Sequence, residues 1–96
     1  MYILTGGLIV NIDLVWQRII DCEGQEFTQI RGKKFAYEVR GSSIILSTTN
    51  RSISKTEIEK ALLFVPLENT IPVQHLQAPS YIYSILMDTK IRNNLW

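Results

Sequence analysis

The sequence predicts an α+β domain: a three-stranded antiparallel meander packed against about three helices, in the order helix, three strands, helix, helix, with a further N-terminal strand or ordered arm. Three observations carry this prediction. Phe35, Tyr37 and Val39 alternate with Lys34, Ala36, Glu38 and Arg40, the period of two that turns one strand face to a core and the other to water. Gly41-Ser42 separates that run from Ile44, Ile45 and Leu46, as a two-residue hairpin loop with glycine first would do. Ser54 and Glu57 have the spacing of a capping box, with Ile53 and Ile58 placed as the two halves of a hydrophobic staple.

The opening MYILTGGLIV is apolar, yet it lacks the basic n-region and small-residue cleavage site of a secretory leader and is about half the ~20 residues of a membrane-spanning helix. It reads as a first strand or an ordered arm, with a bend at Gly6-Gly7; an appended extension is the alternative. From Asn11 to Glu23, Ile12, Val15, Trp16, Ile19 and Cys22 recur at helical spacing. Asn11 suits the N-cap, Gly24 the position just past the C-terminus, and Asp13 the positive end of the helix dipole. Leu14 and Ile20 widen the apolar face, so this helix is expected to pack on two sides or against another chain.

The first strand of the meander is expected over 26–30, with Arg31-Gly32-Lys33 as a three-residue loop. That loop sets Phe27 across from Tyr37, whereas a two-residue loop would turn Phe27 to the other face. The second hairpin sets Val39 across from Ile44, Tyr37 from Leu46 and Phe35 from Thr48. Polar residues from Ser47 to Ser52 then lead to the capped helix, whose buried stripe is Ile58, Ala61, Leu62 and Val65 and which Pro66 ends. The stretch 66–78 has two prolines and no clear period, hence a connecting loop. Pro79 suits the first turn of a last helix running to about Ile91, and the terminal Trp96 either folds back onto the core or frays.

Ninety-six residues, 46% of them hydrophobic and 20% charged, suffice for one modest core, and no repeat or linker divides 1–96 into two domains. The single cysteine leaves no intrachain disulfide and favours a reducing, cytoplasmic setting. His75 has no second histidine, and no Cys, Asp or Glu adjacent at ligand spacing, so neither a metal site nor a Cys–His nucleophile pair is expected. Glu57 is engaged in capping and Glu59 sits on an exposed face, which leaves no carboxylate dyad; Walker, GxGxxG and GxSxG patterns are missing from the sequence. The expectation is a non-enzymatic module with no catalytic residues, metal or cofactor.

Charge is the uneven feature. The net charge is +1, but between Phe27 and Lys55 six basic residues stand against Glu38 alone, leaving four basic and eight acidic residues elsewhere. Arg31, Lys33, Lys34, Arg40, Asn50, Arg51 and Lys55 are therefore the candidate nucleic-acid-binding residues, on a hairpin, a polar loop and the N-terminal end of a helix, where phosphates are readily held. The competing explanation is that lysines and arginines on strand faces and turns serve solubility and edge protection. A second expectation is a protein-interaction or homo-oligomerisation domain, because Leu14, Ile20, Leu63, Phe64, Trp96 and the first ten residues are more apolar surface than one such core absorbs.

The order FxYEVxGxxI from Phe35, TNRxISKxxIEKAL from Thr49 and PSYIYxIL from Pro79 resembles uncharacterised small bacterial domains, some of them associated with restriction-type or other DNA-acting proteins. The resemblance spans about Phe35 to Asp88 and implies a DNA-associated role. Its motifs are a turn, a cap and helix starts, so no residue role follows from it.

Overall fold

The computed structural model describes residues 2–5 and 8–96. Its chain begins with an antiparallel hairpin of β1 (Tyr2–Thr5) and β2 (Leu8–Asn11), with Tyr2 across from Asn11. The N-terminal extension expected as one strand or an arm is thus two paired strands; the bend expected at Gly6-Gly7 lies outside the described residues. Asn11 ends β2 and at once caps α1 (Ile12–Asp21): its Oδ1 accepts from the amides of Asp13 at 2.9 Å and Leu14 at 3.4 Å. Ile12, Val15, Trp16 and Ile19 form the buried stripe of α1, and Gly24, with φ +80°, takes the chain away from it.

The strands that follow correct the predicted meander. β3 (Phe27–Thr28) pairs only with β4 (Lys34–Phe35), while β5 (Tyr37–Arg40), β6 (Ser43–Leu46) and β7 (Ser52–Ser54) form the three-stranded antiparallel sheet, in that order. The run from Lys34 breaks at Ala36. Its N–H donates to Ser47 Oγ and its carbonyl accepts from Ser47 N–H, each at 3.0 Å, so a side chain replaces one rung of the ladder. Phe35 therefore does not face Thr48; Thr48 Oγ1 instead meets the Tyr81 hydroxyl at 2.8 Å. Val39 does lie across from Ile44 and Tyr37 from Leu46, and Gly41 at φ +59° supplies the positive φ that primed hairpin turns need at their first loop position. The third strand of the sheet is Ser52–Ser54, which polarity alone reads as loop; Ile53 pairs with Ile44 and both are fully buried.

The β3–β4 hairpin has the predicted loop length and glycine bulge, one residue earlier than expected. Gln29 N–H donates to Lys33 O and Gly32 N–H to Gln29 O, each at 2.8 Å, which leaves 30–32 as the loop and sets Phe27 across from Phe35 rather than Tyr37. That change moves the partner by two positions, so Phe27 keeps its face: its ring lies 5.8 Å from Phe35 and 5.3 Å from Tyr37.

Ser54 caps α2 (Lys55–Ala61), accepting the Glu57 N–H at 3.1 Å, and Ile53 and Ile58 are both fully buried beside it. The helix passes into a 3-10 turn, Leu62–Phe64, and a cis Val65–Pro66 bond. Segment 66–78 is more than a connector, since Leu67, Val73, Leu76 and Ala78 are buried and Ile71–Val73 forms another 3-10 turn. Pro79 opens α3 (Pro79–Leu86) as predicted, but that helix does not reach Ile91. It stops at Leu86, and Asp88 caps a separate short α4 (Thr89–Arg92). Arg18 on α1 holds α4 by donating to the Ile91 and Asn93 carbonyls at 2.8 and 3.1 Å. Trp96 folds back, its indole N–H donating to Leu86 O at 3.0 Å. Ile12, Ile19, Tyr37, Ile44, Ile58, Leu62, Ile82 and Ile85 meet in one core, drawn from α1, β5, β6, α2, the 3-10 turn after it and α3. Among the described residues no helix is long and apolar enough to cross a membrane.

Candidate functional site

The candidate basic residues divide into two groups by what their side chains touch. Lys34 Nζ lies 3.2 Å from Glu26 Oε1, Arg40 Nη2 lies 3.0 Å from Glu38 Oε2, and Lys55 Nζ lies 3.5 Å from Asp13 Oδ1 and 6.0 Å from the centre of a Trp16 ring. These contacts are at the surface and add little stability, but they direct three of the six cations toward local carboxylates. Arg31, Lys33 and Arg51 have no ion pair among the described residues.

Two of these three share a hollow with a residue at or just before the start of α3. A hollow of about 470 Å³ is lined by Gln29, Ile30 and Arg31 from the β3–β4 loop, by Thr70, and by Ser80 in the first turn of α3. A polar cleft of about 350 Å³ is lined by Asn50, Arg51, Ser52 and Ser54, by Glu57 and by Gln77. Gln77 and Ser80 are only three residues apart. The two arginines thus approach the same helix entrance from two different hairpins, Arg31 beside Ser80 and Arg51 beside Gln77. The chain follows this path because Phe35 in β4 packs edge-on against Tyr81 at 4.8 Å while Thr48 bonds the Tyr81 hydroxyl, so one aromatic residue of α3 anchors both polar segments.

Arg40 borders a different depression, on the open face of the sheet beside Ala36, Glu38 and Ile45. Lys34 and Arg40, expected on one shared face, belong to separate sheets because of the break at Ala36. The capping box is half formed. Ser54 plays its part, but Glu57 Oε2 accepts from Gln77 N–H at 3.1 Å instead of turning back to the Ser54 amide, which puts a carboxylate inside the Arg51 cleft. Sequence reasoning missed Gln29, Thr70, Gln77 and Ser80, which carry no charge and come from segments distant in the chain. Nothing in the sequence marks these four residues.

No family model, curated protein or solved structure matches this chain.

Elsewhere, two titratable groups are buried in the core, Cys22 and Tyr37. Burial pushes the Cys22 thiol up, only partly opposed by nearby Lys90, so the thiolate is disfavoured. The Tyr37 hydroxyl donates to Ile19 O at 2.6 Å from within the core, and burial, reinforced by Cys22, Glu23 and Asp88, drives its pKa far upward. His75 is exposed and sets its ring edge-on to Phe64 at 6.1 Å. Among the described residues there is no group of three His, Cys, Asp or Glu placed to hold a metal ion.

Proposed function

We propose that this protein is a non-enzymatic nucleic-acid-binding module that contacts the phosphate backbone through the α3 entrance, with Arg31, Lys33 and Arg51 as the principal cations. Lys34, Arg40 and Lys55 take a lesser part because each must leave a carboxylate to reach a phosphate. The observation that supports this reading is the pair of hollows bordered by Gln77 and Ser80, each holding an arginine free of ion pairs among the described residues together with hydroxyl and amide groups, the Arg51 cleft also holding the Glu57 carboxylate. Phosphate contacts draw on such donors as well as on cations. The resemblance of Phe35 to Asp88 to domains of DNA-acting proteins points the same way.

Titration of labelled DNA and RNA, duplex and single-stranded, against the protein at several salt concentrations tests it. Three engaged cations give a slope of log affinity against log salt of about −2 on a single strand and about −3 on a duplex. Arg31→Ala and Arg51→Ala each weaken binding and flatten the slope by about one contact, and Arg40→Ala does much less. No binding at micromolar protein and low salt, or binding indifferent to the Arg31→Ala/Arg51→Ala double variant, defeats the proposal.

A second reading, a protein-interaction or homo-oligomerisation domain, is favoured by Leu63 and Phe64. These adjacent residues of the 3-10 turn after α2 remain 54% and 41% exposed. Sedimentation across a wide concentration range distinguishes self-association from a strict monomer.

A further inference from the structure

We infer that the Arg31 hollow takes one unstacked base of a single strand, with the neighbouring phosphate on the Arg31 guanidinium. This rests on the nucleic-acid reading above and specifies its ligand as single-stranded rather than duplex. Ile30 occupies the tip of the β3–β4 loop at 61% exposure, and Ile71 follows Thr70 at 69% exposure. These are the two most exposed aliphatic side chains of the described core-forming types, and neither belongs to the core or to the packing around it. Ile30 and Thr70 line one hollow, and Ile71 is the residue after Thr70.

An isoleucine beside an arginine gains little from a duplex whose base faces stay stacked on one another. It suits a splayed nucleotide, which offers a flat apolar face and an anion a few ångströms apart. Gln29, Thr70 and Ser80 place an amide and two hydroxyls around the same space, able to meet the hydrogen-bonding edge of a base. The charge agrees in scale. Three candidate cations without ion pairs among the described residues and a net charge of +1 fit a short strand better than a duplex site that neutralises many phosphates.

The test is fluorescence anisotropy with labelled single-stranded DNA, single-stranded RNA of the same sequence, and the matching blunt duplex. The intact protein and its Ile30→Ser, Ile71→Ser, Arg31→Ala and Leu63→Ser variants are compared, with thermal unfolding of each as a folding control. Single strands are expected to bind several-fold more tightly than duplex, since a duplex keeps its base faces stacked on one another and away from Ile30. Ile30→Ser and Ile71→Ser should each lose several-fold on single strands with no change on duplex and no change in melting temperature. Arg31→Ala should weaken both ligands, and Leu63→Ser neither. Tighter RNA than DNA assigns the hydroxyl-bearing wall a contact to the ribose 2′-OH; equal binding leaves the base alone as the ligand. Equal or tighter duplex binding, or indifference to both isoleucine variants while Arg31 and Arg51 still matter, overturns the inference and leaves the broader reading standing. Failure of all three nucleic acids removes both. Capture of an acidic peptide in their place assigns the hollow to a protein partner and overturns it as well.

Discussion

Glu57 Oε2 accepts the backbone N–H of Gln77 at 3.1 Å, tying the first turn of α2 to the approach of α3 across twenty residues of sequence. Ser54 and Glu57 therefore do separate jobs, one capping α2 and the other holding segment 66–78 against it. Ser54→Ala is expected to destabilise the fold by about 1 kcal/mol through loss of the cap. Glu57→Ala should instead speed amide exchange at Gln77 and its neighbours with little change at the start of α2. Residue-resolved hydrogen exchange separates the two outcomes, and parallel protection losses in both variants would contradict this division.

Tyr37 carries a different prediction. Its buried hydroxyl satisfies Ile19 O, so Tyr37→Phe leaves that carbonyl without this donor and should cost about 1–3 kcal/mol, measured by denaturant unfolding.

The same phenol predicts a pH dependence. Its pKa is raised in the folded state, so the folded protein holds the proton more tightly than the unfolded chain does. The resulting stability is complete below the unfolded tyrosine value of about 10 and is lost as pH rises beyond it. Spectroscopic titration should show Tyr37 ionising only with unfolding. Reversible ionisation of Tyr37 in the folded protein would be incompatible with the buried bond.

At the outer edge of the sheet, Glu23 Oε2 accepts the Val39 N–H at 2.6 Å, and Gly24 N–H donates to Tyr37 O at 2.9 Å. The turn after α1 thereby occupies groups on β5 that could otherwise recruit another strand. Glu23→Ala should increase concentration-dependent association, read by light scattering, while Glu23→Gln, which keeps an acceptor, should stay close to the parent.

Gly41 has φ +59° with open space where a Cβ would stand, so Gly41→Ala adds backbone strain without a clash. A loss of about 1 kcal/mol is expected; calorimetry showing none would mean that the turn relaxes to another geometry.

Local chemistry made several of these features legible in the sequence. The Asn11 and Ser54 caps, the Gly41 turn, the Val39–Ile44 register and the Pro79 helix start each depend on a few adjacent residues and have the same physical cause in any context. The end of α3 was hidden because Tyr81 to Ile91 is apolar enough to continue a helical pattern, and only Asp88, capping α4, divides it. β7 was hidden because two serines flank its single apolar residue, and what makes Ile53 a strand residue is its pairing with Ile44.

For the candidate site, the sequence alone determined which residues are charged and that they cluster between Phe27 and Lys55. Tertiary structure decided which of them are occupied. Glu26, Glu38 and Asp13 engage Lys34, Arg40 and Lys55, while Arg31 and Arg51 arrive beside one helix entrance in the company of Thr70, Gln77 and Ser80. Charge is a property of each residue, whereas a carboxylate's reach and the shape of a hollow depend on segments that only the folded chain brings together. The break at Ala36 and the packing of Phe35 on Tyr81 bring them there, and neither follows from any single stretch of sequence.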